Sequence, residues 1–191
     1  MNDFYIIEDC IDDQEIEMID KLCNNPGFPW FVGSDVSVDN SPSVINTDKT
    51  VRTIQFDHIA RGKSFFGDIS RKILLAAGFN SVEIKRLKLN LLTNNSKFSK
   101  KKYNCPHVDY TDKGVWSMVI YMNDSDGDTV FFRERYDGTT KEQARVRKRV
   151  TPKKGKAVIF KGDIFHASSN PIVNNKRIVL NVNFICLQSL T

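Results

Sequence analysis

Two histidines and one aspartate have the residue types and the spacing of a metal-binding site. His107 stands two residues before Asp109, so both side chains project from the same face of an extended chain. His166 lies in a later apolar segment, and a sheet that curls on itself would bring it to the same point. The sequence has three histidines in all, so the positions of these two are informative. The pattern predicts two imidazoles and one carboxylate around a common ion.

This ligand set suits an open site better than a closed structural one. Two imidazoles and one carboxylate occupy one triangular face of an octahedral metal and leave the other face free, as in non-haem Fe(II) oxygenases. An HxD dipeptide also occurs by chance in many chains. On these three residues alone, a surface HxD with an unrelated core histidine is therefore equally compatible with the sequence.

A basic residue at the start of the last apolar segment indicates a bound anion. Arg177 opens the segment Ile178–Phe184, and burying a cation there is costly unless an anion meets it. A guanidinium binds a carboxylate through two parallel hydrogen bonds, which suits the far end of a dicarboxylic acid. Asn181 and Asn183 follow at two-residue spacing and share the face of Arg177.

The elements that must position these residues are predicted to be two helices followed by strands. One amphipathic pattern with an acidic first turn ends at Cys23, and another covers Lys63–Ala77. A strand is predicted at Val51–Asp57, after an irregular polar stretch at Ser34–Asp48. Eight strands are then predicted at Val82–Leu92, Cys105–Tyr110, Val115–Met122, Thr129–Glu134, Arg145–Thr151, Lys156–Phe160, Ile164–Ser168 and Arg177–Cys186. This pattern favours a sandwich, barrel or jelly roll.

The order and spacing of these segments resemble one family, the 2-oxoglutarate and Fe(II)-dependent oxygenases, in their prolyl 4-hydroxylase-like branch. The likeness covers about residues 82–186. It rests on the HxD pair, Met118–Asn123, Gly127–Phe132, Ala157–Phe160, His166 and Arg177–Phe184. The N-terminal segments Phe4–Leu22 and Phe28–Trp30 also resemble small oxygenases of phages and marine microbes.

The resemblance implies a mainly β fold with flanking helices, a double-stranded β-helix or cupin-like jelly roll. One oxygenase domain would span residues 1–191, with helical support over about 1–80 and the jelly-roll core over about 82–186. The expected enzyme is a 2-oxoglutarate-dependent dioxygenase, an oxidoreductase that hydroxylates a substrate and releases succinate and CO2.

The same resemblance implies roles for individual residues. His107, Asp109 and His166 would be the catalytic ligands of Fe(II), with O2 as co-reactant. The cosubstrate 2-oxoglutarate would chelate the metal and place its 5-carboxylate against Arg177. The other pocket residues would be Tyr121, Thr129, Asn90, Asn181 and Asn183.

Two positions depart from the family pattern. Leu92 stands where related hydroxylases often carry a tyrosine that contacts the cosubstrate, and Asn90 on the same face would replace that contact. Asn183 stands where some peptide hydroxylases have a bulky aromatic residue, so prolyl specificity is not implied.

Charge is unevenly distributed and favours an acidic substrate or partner. The sequence has 28 Lys and Arg against 23 Asp and Glu, a net charge of +5, and eight of the acids lie in residues 1–20. The remainder carries +13, since 28 basic residues face 15 acids there.

We expect a protein side chain or a small molecule as substrate. A nucleobase is the first alternative, and a non-catalytic metal-binding β-barrel module is the second.

The cysteines and the apolar runs exclude several other classes. Cys10, Cys23, Cys105 and Cys186 form no CxxC pair, so we expect reduced, mostly buried thiols rather than a zinc knuckle. The apolar runs are far shorter than the roughly 20 residues of a membrane span. The acidic N-terminal residues are unlike a leader peptide, so we expect a cytoplasmic protein, in the host cell if a phage encodes it.

Overall fold

A computed structural model describes residues 2–33 and 42–187, which form two β-sheets with helices packed on one of them. The helices are α1 (Asp13–Cys23) and α2 (Phe65–Ala76). The strands are β1 (Phe4–Ile7), β2 (Phe31–Gly33), β3 (Gln55–Ala60), β4 (Val82–Thr93), β5 (Val115–Tyr121), β6 (Thr129–Arg135), β7 (Val146–Val150), β8 (Ala157–Lys161), β9 (Ile164–Ser168) and β10 (Lys176–Cys186). In the described ranges, neither helix is long and apolar enough to cross a lipid bilayer.

The strands build a double-stranded β-helix, so the predicted fold class is confirmed. The larger sheet has the order β1-β8-β5-β10-β4-β3-β2, and the smaller sheet has the order β7-β6-β9. All of the strand pairs are antiparallel. Central strand β10 pairs with β4 on one side and β5 on the other, and these two pairings bring distant parts of the chain together.

Both helices cover the outer face of the larger sheet. Asp12 caps α1 in a capping box with Glu15, and Ser64 caps α2. Their apolar stripes, represented by Ile19 and Ile73, join Leu180 of β10 in one buried cluster. The helices therefore fix the sheet that carries the site without contributing to the space between the sheets.

Two-residue alternation along β10 separates the core from the site. Ile178, Leu180 and Val182 pack toward the helices. Val179 instead belongs to the cluster between the sheets, which is also the face predicted for Arg177. A single strand thus supplies both a core face and a polar face.

The predicted strand Cys105–Tyr110 is wrong as a continuous strand. His107 forms isolated bridges to Val44 and to His166, and Val108 bonds to the carbonyl of Ser43. A regular ladder is interrupted because Pro106 has no N–H to donate. The segment still runs beside β9, which is what positions His107.

Three further segments differ from the prediction. The strand predicted at Val51–Asp57 lies instead at Gln55–Ala60, and β1 and β2 were not predicted. Strand β1 consists of four half-buried residues that gain a ladder only by pairing with β8, far along the chain. The stretch Ser34–Asp48 lies partly outside the described residues, which omit 34–41.

Candidate active site

The fold brings His107, Asp109 and His166 to one point. One ligand atom from each residue lies within 4.8 Å of the other two. Nε2 of His166 is 3.6 Å from Oδ2 of Asp109. The two histidine backbones hold each other directly, because each N–H donates to the other residue's carbonyl at 2.9 Å. Backbone pairing between the segment around residue 107 and strand β9 therefore builds the triad.

A buried polar network fixes the chain segment that leads to His107. Asn104 donates to the Ser168 hydroxyl at 3.0 Å and to the Asn170 side-chain oxygen at 3.1 Å. The Thr53 hydroxyl donates to Asn104 at 3.0 Å. Asn104 is fully buried, so these bonds replace those it would make with water. The network ties the segment before the HxD pair to β9.

Both imidazoles present Nε2 to the centre of the triad. Nδ1 of His107 is 2.9 Å from the carbonyl of Cys105, and Nδ1 of His166 is 3.2 Å from the carbonyl of Ile164. A carbonyl can only accept, so each Nδ1 donates, which makes Nε2 the nitrogen that carries the lone pair when the ring is neutral. Burial lowers the pKa of His166 and outweighs the opposing attraction of Asp109. A neutral imidazole of this kind is the form that binds metal.

Asp109 is buried in a cradle of hydrogen-bond donors. Asn181 donates to both carboxylate oxygens, at 3.1 and 3.0 Å, and Asn183 donates to Oδ2 at 3.1 Å. The Ser117 hydroxyl is 3.3 Å from the same Oδ2, and Arg86 lies 2.8 Å from Oδ1. Burial raises the pKa of Asp109, but electrostatic attraction to His166 and Arg86 outweighs burial and holds the pKa well below its ordinary value. The carboxylate is therefore ionised near neutral pH.

This donor set fits Fe(II). Two imidazole nitrogens and one carboxylate form the facial ligand arrangement that leaves positions open on the opposite side. Among the described residues, Oδ1 of Asn181 is buried without a hydrogen-bond partner. Asn181 also lines the cavity beside the triad, so a donor held in that cavity would satisfy the oxygen.

Arg177 lies at the other end of the same cavity. Its Nε donates to the carbonyl of Gly127 at 2.7 Å, and its Nη2 donates to the Thr129 hydroxyl at 2.7 Å. Tyr121 donates to the same hydroxyl at 2.8 Å. Burial raises the pKa of Tyr121 to about 12, although the Arg177 charge opposes this, so the phenol stays a donor. Arg177 is 3% exposed and none of these bonds is to a carboxylate, so its charge is available to an anion in the cavity.

The cavity between the sheets connects the triad with Arg177. It has a volume of about 220 Å³, and Val119 and Val179 form apolar parts of its wall. Of the predicted pocket residues, Asn90, Thr129 and Asn181 also line it. Tyr121 and Asn183 are not on its wall, and they act instead through Thr129 and Asp109.

A comparison with known protein families covers the segment that carries this site. The model of a family described as the 2OG-Fe(II) oxygenase superfamily matches residues 94–185, just under half of the chain, and this part holds the triad and Arg177. Together with the triad, the match identifies a 2-oxoglutarate- and Fe(II)-dependent oxygenase, an oxidoreductase.

Solved structures share the fold of this oxygenase across nearly its whole length. A prolyl-4-hydroxylase from Pseudomonas putida is 14% identical with a TM-score of 0.59, covering 97% of this chain and 94% of its own. A 2OG-Fe(II) oxygenase family oxidoreductase from Burkholderia pseudomallei has the same identity and TM-score, with coverages of 98% and 87%. HygX from Streptomyces hygroscopicus, with nickel and 2-oxoglutarate bound, is 9% identical with a TM-score of 0.58 and coverages of 97% and 83%. No curated protein sequence matches the chain significantly.

The sequence did not reveal several polar residues of the oxygenase site. Gln55, Arg86 and Lys88 line the cavity, and Ser117 contacts Asp109. Residues 86, 88 and 90 alternate along β4, so the prediction for Asn90 carried a signal for the other two. Ser117 stands in a wholly buried apolar strand and has no comparable signal.

The remaining chemistry-bearing residues lie apart from the ligand atoms. Nδ1 of His58 is 3.1 Å from the carbonyl of Pro29, and its ring packs at a tilt against Phe28, as a structural histidine does. The Cys105 thiol points to the carbonyl of Ile45 at 3.7 Å, and burial raises its pKa to about 11. Cys105 is therefore a buried thiol and not a fourth ligand.

The basic loop at residues 94–103, before the HxD pair, is anchored to the oxygenase core. Phe98 and Tyr103 within this loop are buried. The N–H groups of Asn94 and Asn95 donate to the carbonyls of Asn175 and Pro171. These contacts place the loop beside the Arg177 end of β10.

Proposed function

We propose that this oxygenase hydroxylates a C–H bond of a protein side chain, with conversion of 2-oxoglutarate to succinate and CO2. The observation that carries the proposal is one continuous cavity with the His107, Asp109 and His166 triad at one end and Arg177 at the other. The proposed catalytic unit is a single domain over residues 1–191.

The roles proposed for the residues follow from their contacts. His107, Asp109 and His166 would hold Fe(II) through two Nε2 atoms and one carboxylate oxygen. Bound Fe(II) would supply the activation of dioxygen that couples decarboxylation of 2-oxoglutarate to oxidation of the substrate. Arg177 would grip the 5-carboxylate of the cosubstrate, with Thr129 beside it, and Tyr121 would keep Thr129 in place.

The cavity wall protects the site from water on two sides. Val119 and Val179 project into it from neighbouring strands and are buried. Asn90 accepts a hydrogen bond from Gln55 at 3.0 Å and closes the side formed by β3 and β4. Exclusion of water from the reacting atoms limits side reactions.

The substrate class rests on the polar rim and on the structural likeness. Gln55 and Lys88 form a partly exposed polar edge on β3 and β4, suited to hydrogen-bonded recognition of a polypeptide. The likeness to a prolyl-4-hydroxylase supports a protein side chain as substrate.

The basic excess of the chain supports a nucleobase as a second candidate substrate. That excess is not concentrated at the site, because Lys88 on the cavity wall pairs with Asp57 and Arg86 pairs with Asp109. Such pairing lowers the local positive potential that a polyanion would need at the cavity. We therefore favour the protein substrate.

A turnover assay distinguishes the candidates. Fe(II)-loaded protein is incubated in air with 2-oxoglutarate, ascorbate and either a peptide pool or an oligonucleotide pool, and succinate and substrate masses are measured. We expect the peptide pool to raise succinate release and to contain a product heavier by one oxygen atom. Stimulation by oligonucleotides alone would support the nucleobase candidate. The variant His166→Ala is the matched control and should give background succinate with both pools.

A further inference from the structure

Arg86 contacts the triad from a strand that supplies none of its ligands. Its Nη2 lies 2.8 Å from Oδ1 of Asp109, and its Nε donates to the Asn183 side-chain oxygen at 3.0 Å. Asn183 in turn donates to Oδ2 of Asp109 at 3.1 Å. Guanidinium, amide and carboxylate therefore form a closed ring of hydrogen bonds.

Asn181 contacts both oxygens of Asp109, but their other neighbours differ, since Asn183 and Ser117 contact only Oδ2. Oδ2 points toward the histidine pair, 3.6 Å from Nε2 of His166. Oδ1 is the oxygen that Arg86 holds, through a charge-assisted bond that is stronger than a bond between neutral groups. A carboxylate restrained in this way has one oxygen directed to the metal position and one directed away from it.

The fold restrains Arg86 from two further sides. Residues 86 and 183 are direct partners in the ladder of β4 and β10, next to a register shift after Asn183. The guanidinium also lies over the Tyr110 ring, 5.4 Å from its centroid. Only 28% of the Arg86 side chain is exposed, so its head group has little freedom to leave Asp109.

We propose that Arg86 is a positioning residue of the metal centre, which holds Oδ1 of Asp109 so that Oδ2 alone serves as the metal ligand. This inference rests on the proposed function, because it assumes that the triad binds Fe(II). The positive charge of Arg86 also draws electron density from the ligand carboxylate. Fe(II) is thereby favoured over Fe(III), since the more highly charged ion gains more from carboxylate donation.

The first test compares Fe(III)/Fe(II) reduction potentials of the wild type with those of Arg86→Met, Arg86→Lys and Lys88→Met. We expect Arg86→Met to raise the ratio of Fe(III) to Fe(II) affinity at least tenfold, a shift of about 59 mV to more negative potential. Arg86→Lys keeps the charge and should recover at least half of that shift. Lys88→Met removes a neighbouring cation that pairs with Asp57. Its ratio of Fe(III) to Fe(II) affinity should differ from that of the wild type by less than threefold.

The second test uses the visible spectrum of the Co(II)-loaded protein. We expect Arg86→Met to change band intensity, because a freed Oδ1 can also reach the metal, while Lys88→Met keeps the wild-type spectrum. A wild-type potential and spectrum in Arg86→Met would overturn the inference. If the wild type itself binds no Co(II), the proposed function fails first, so the two failures are distinguishable. Arg86→Gln replaces Arg86→Met if the latter does not fold without metal.

Discussion

At the scale of single residues, the site depends on the buried guanidinium of Arg177, which donates to a carbonyl and a hydroxyl and to no carboxylate. Arg177 is fully buried, and burial lowers its pKa from the ordinary value, which marks the cost of keeping a guanidinium there. Its bonds to Gly127 and Thr129 orient it but do not neutralise it. An anion of the cosubstrate would supply the missing charge.

Substitution of Arg177 tests this role. We expect Arg177→Ala to weaken the affinity for 2-oxoglutarate at least about tenfold, because a charge-assisted bidentate pair is lost. Calorimetric titration of the Mn(II)-loaded protein measures the change. Arg177→Lys keeps the charge but cannot donate two parallel hydrogen bonds. Its affinity for 2-oxoglutarate should lie between those of Arg177→Ala and the wild type. Equal affinities in Arg177→Ala and the wild type would reject Arg177 as the anchor.

At the scale of elements, strand β10 explains what the sequence could predict. Two-residue alternation places Arg177 and Asn181 on one face, and the structure brings both to the cavity. Alternation does not reveal which strand lies beside β10. Arg86 was missed for this reason, because its contact with Asp109 needs the register between β4 and β10, set by residues nearly a hundred positions apart.

The same limit applies to the elements that were predicted incorrectly. Strand β1 forms its ladder with β8, far along the chain, and the segment Cys105–Tyr110 forms bridges to Val44 and to His166 in β9, so both depend on long-range contacts. Helices α1 and α2 were predicted well, because caps and apolar stripes are local signals.

The turn before β6 gives a prediction at this scale. A Cβ on Gly127 would lie 2.5 Å from the carbonyl oxygen of Ser169 and 3.1 Å from Cδ of Arg177. We expect Gly127→Ala to lower the free energy of unfolding by about 1–3 kcal/mol, as overpacking does. It should also weaken 2-oxoglutarate binding by displacing Arg177. Chemical denaturation and calorimetry measure the two effects. The control variant Gly138→Ala changes an exposed turn and should leave the affinity for 2-oxoglutarate unchanged. An unchanged affinity in Gly127→Ala as well would refute the prediction.

At the scale of the whole molecule, the site lies between the two sheets, and its residues come from both of them. His166 belongs to the smaller sheet, Arg177 belongs to the larger one, and His107 and Asp109 lie on the segment between them. Ligands that bind all of these residues would link the sheets. Binding to the folded state alone then raises its stability by mass action.

Thermal unfolding tests this linkage. Mn(II) and 2-oxoglutarate at about 100 times their dissociation constants should add about 2.7 kcal/mol each. For a chain of this size that corresponds to a rise in Tm of roughly 5–10 °C per ligand. His166→Ala should fold without metal, because the apolar clusters do not depend on the triad, but it should show no rise with Mn(II). An equal rise in His166→Ala and in the wild type would contradict the assignment of His166.

The central claim is that the triad and Arg177 bind Fe(II) and 2-oxoglutarate together in one cavity. Anaerobic titration of the Fe(II)-loaded protein with 2-oxoglutarate tests it most directly, because chelation of the metal by the cosubstrate produces a weak visible charge-transfer band. We predict that the wild type develops this band and that His166→Ala does not. A wild-type protein that binds Fe(II) but develops no band at saturating 2-oxoglutarate would contradict the claim.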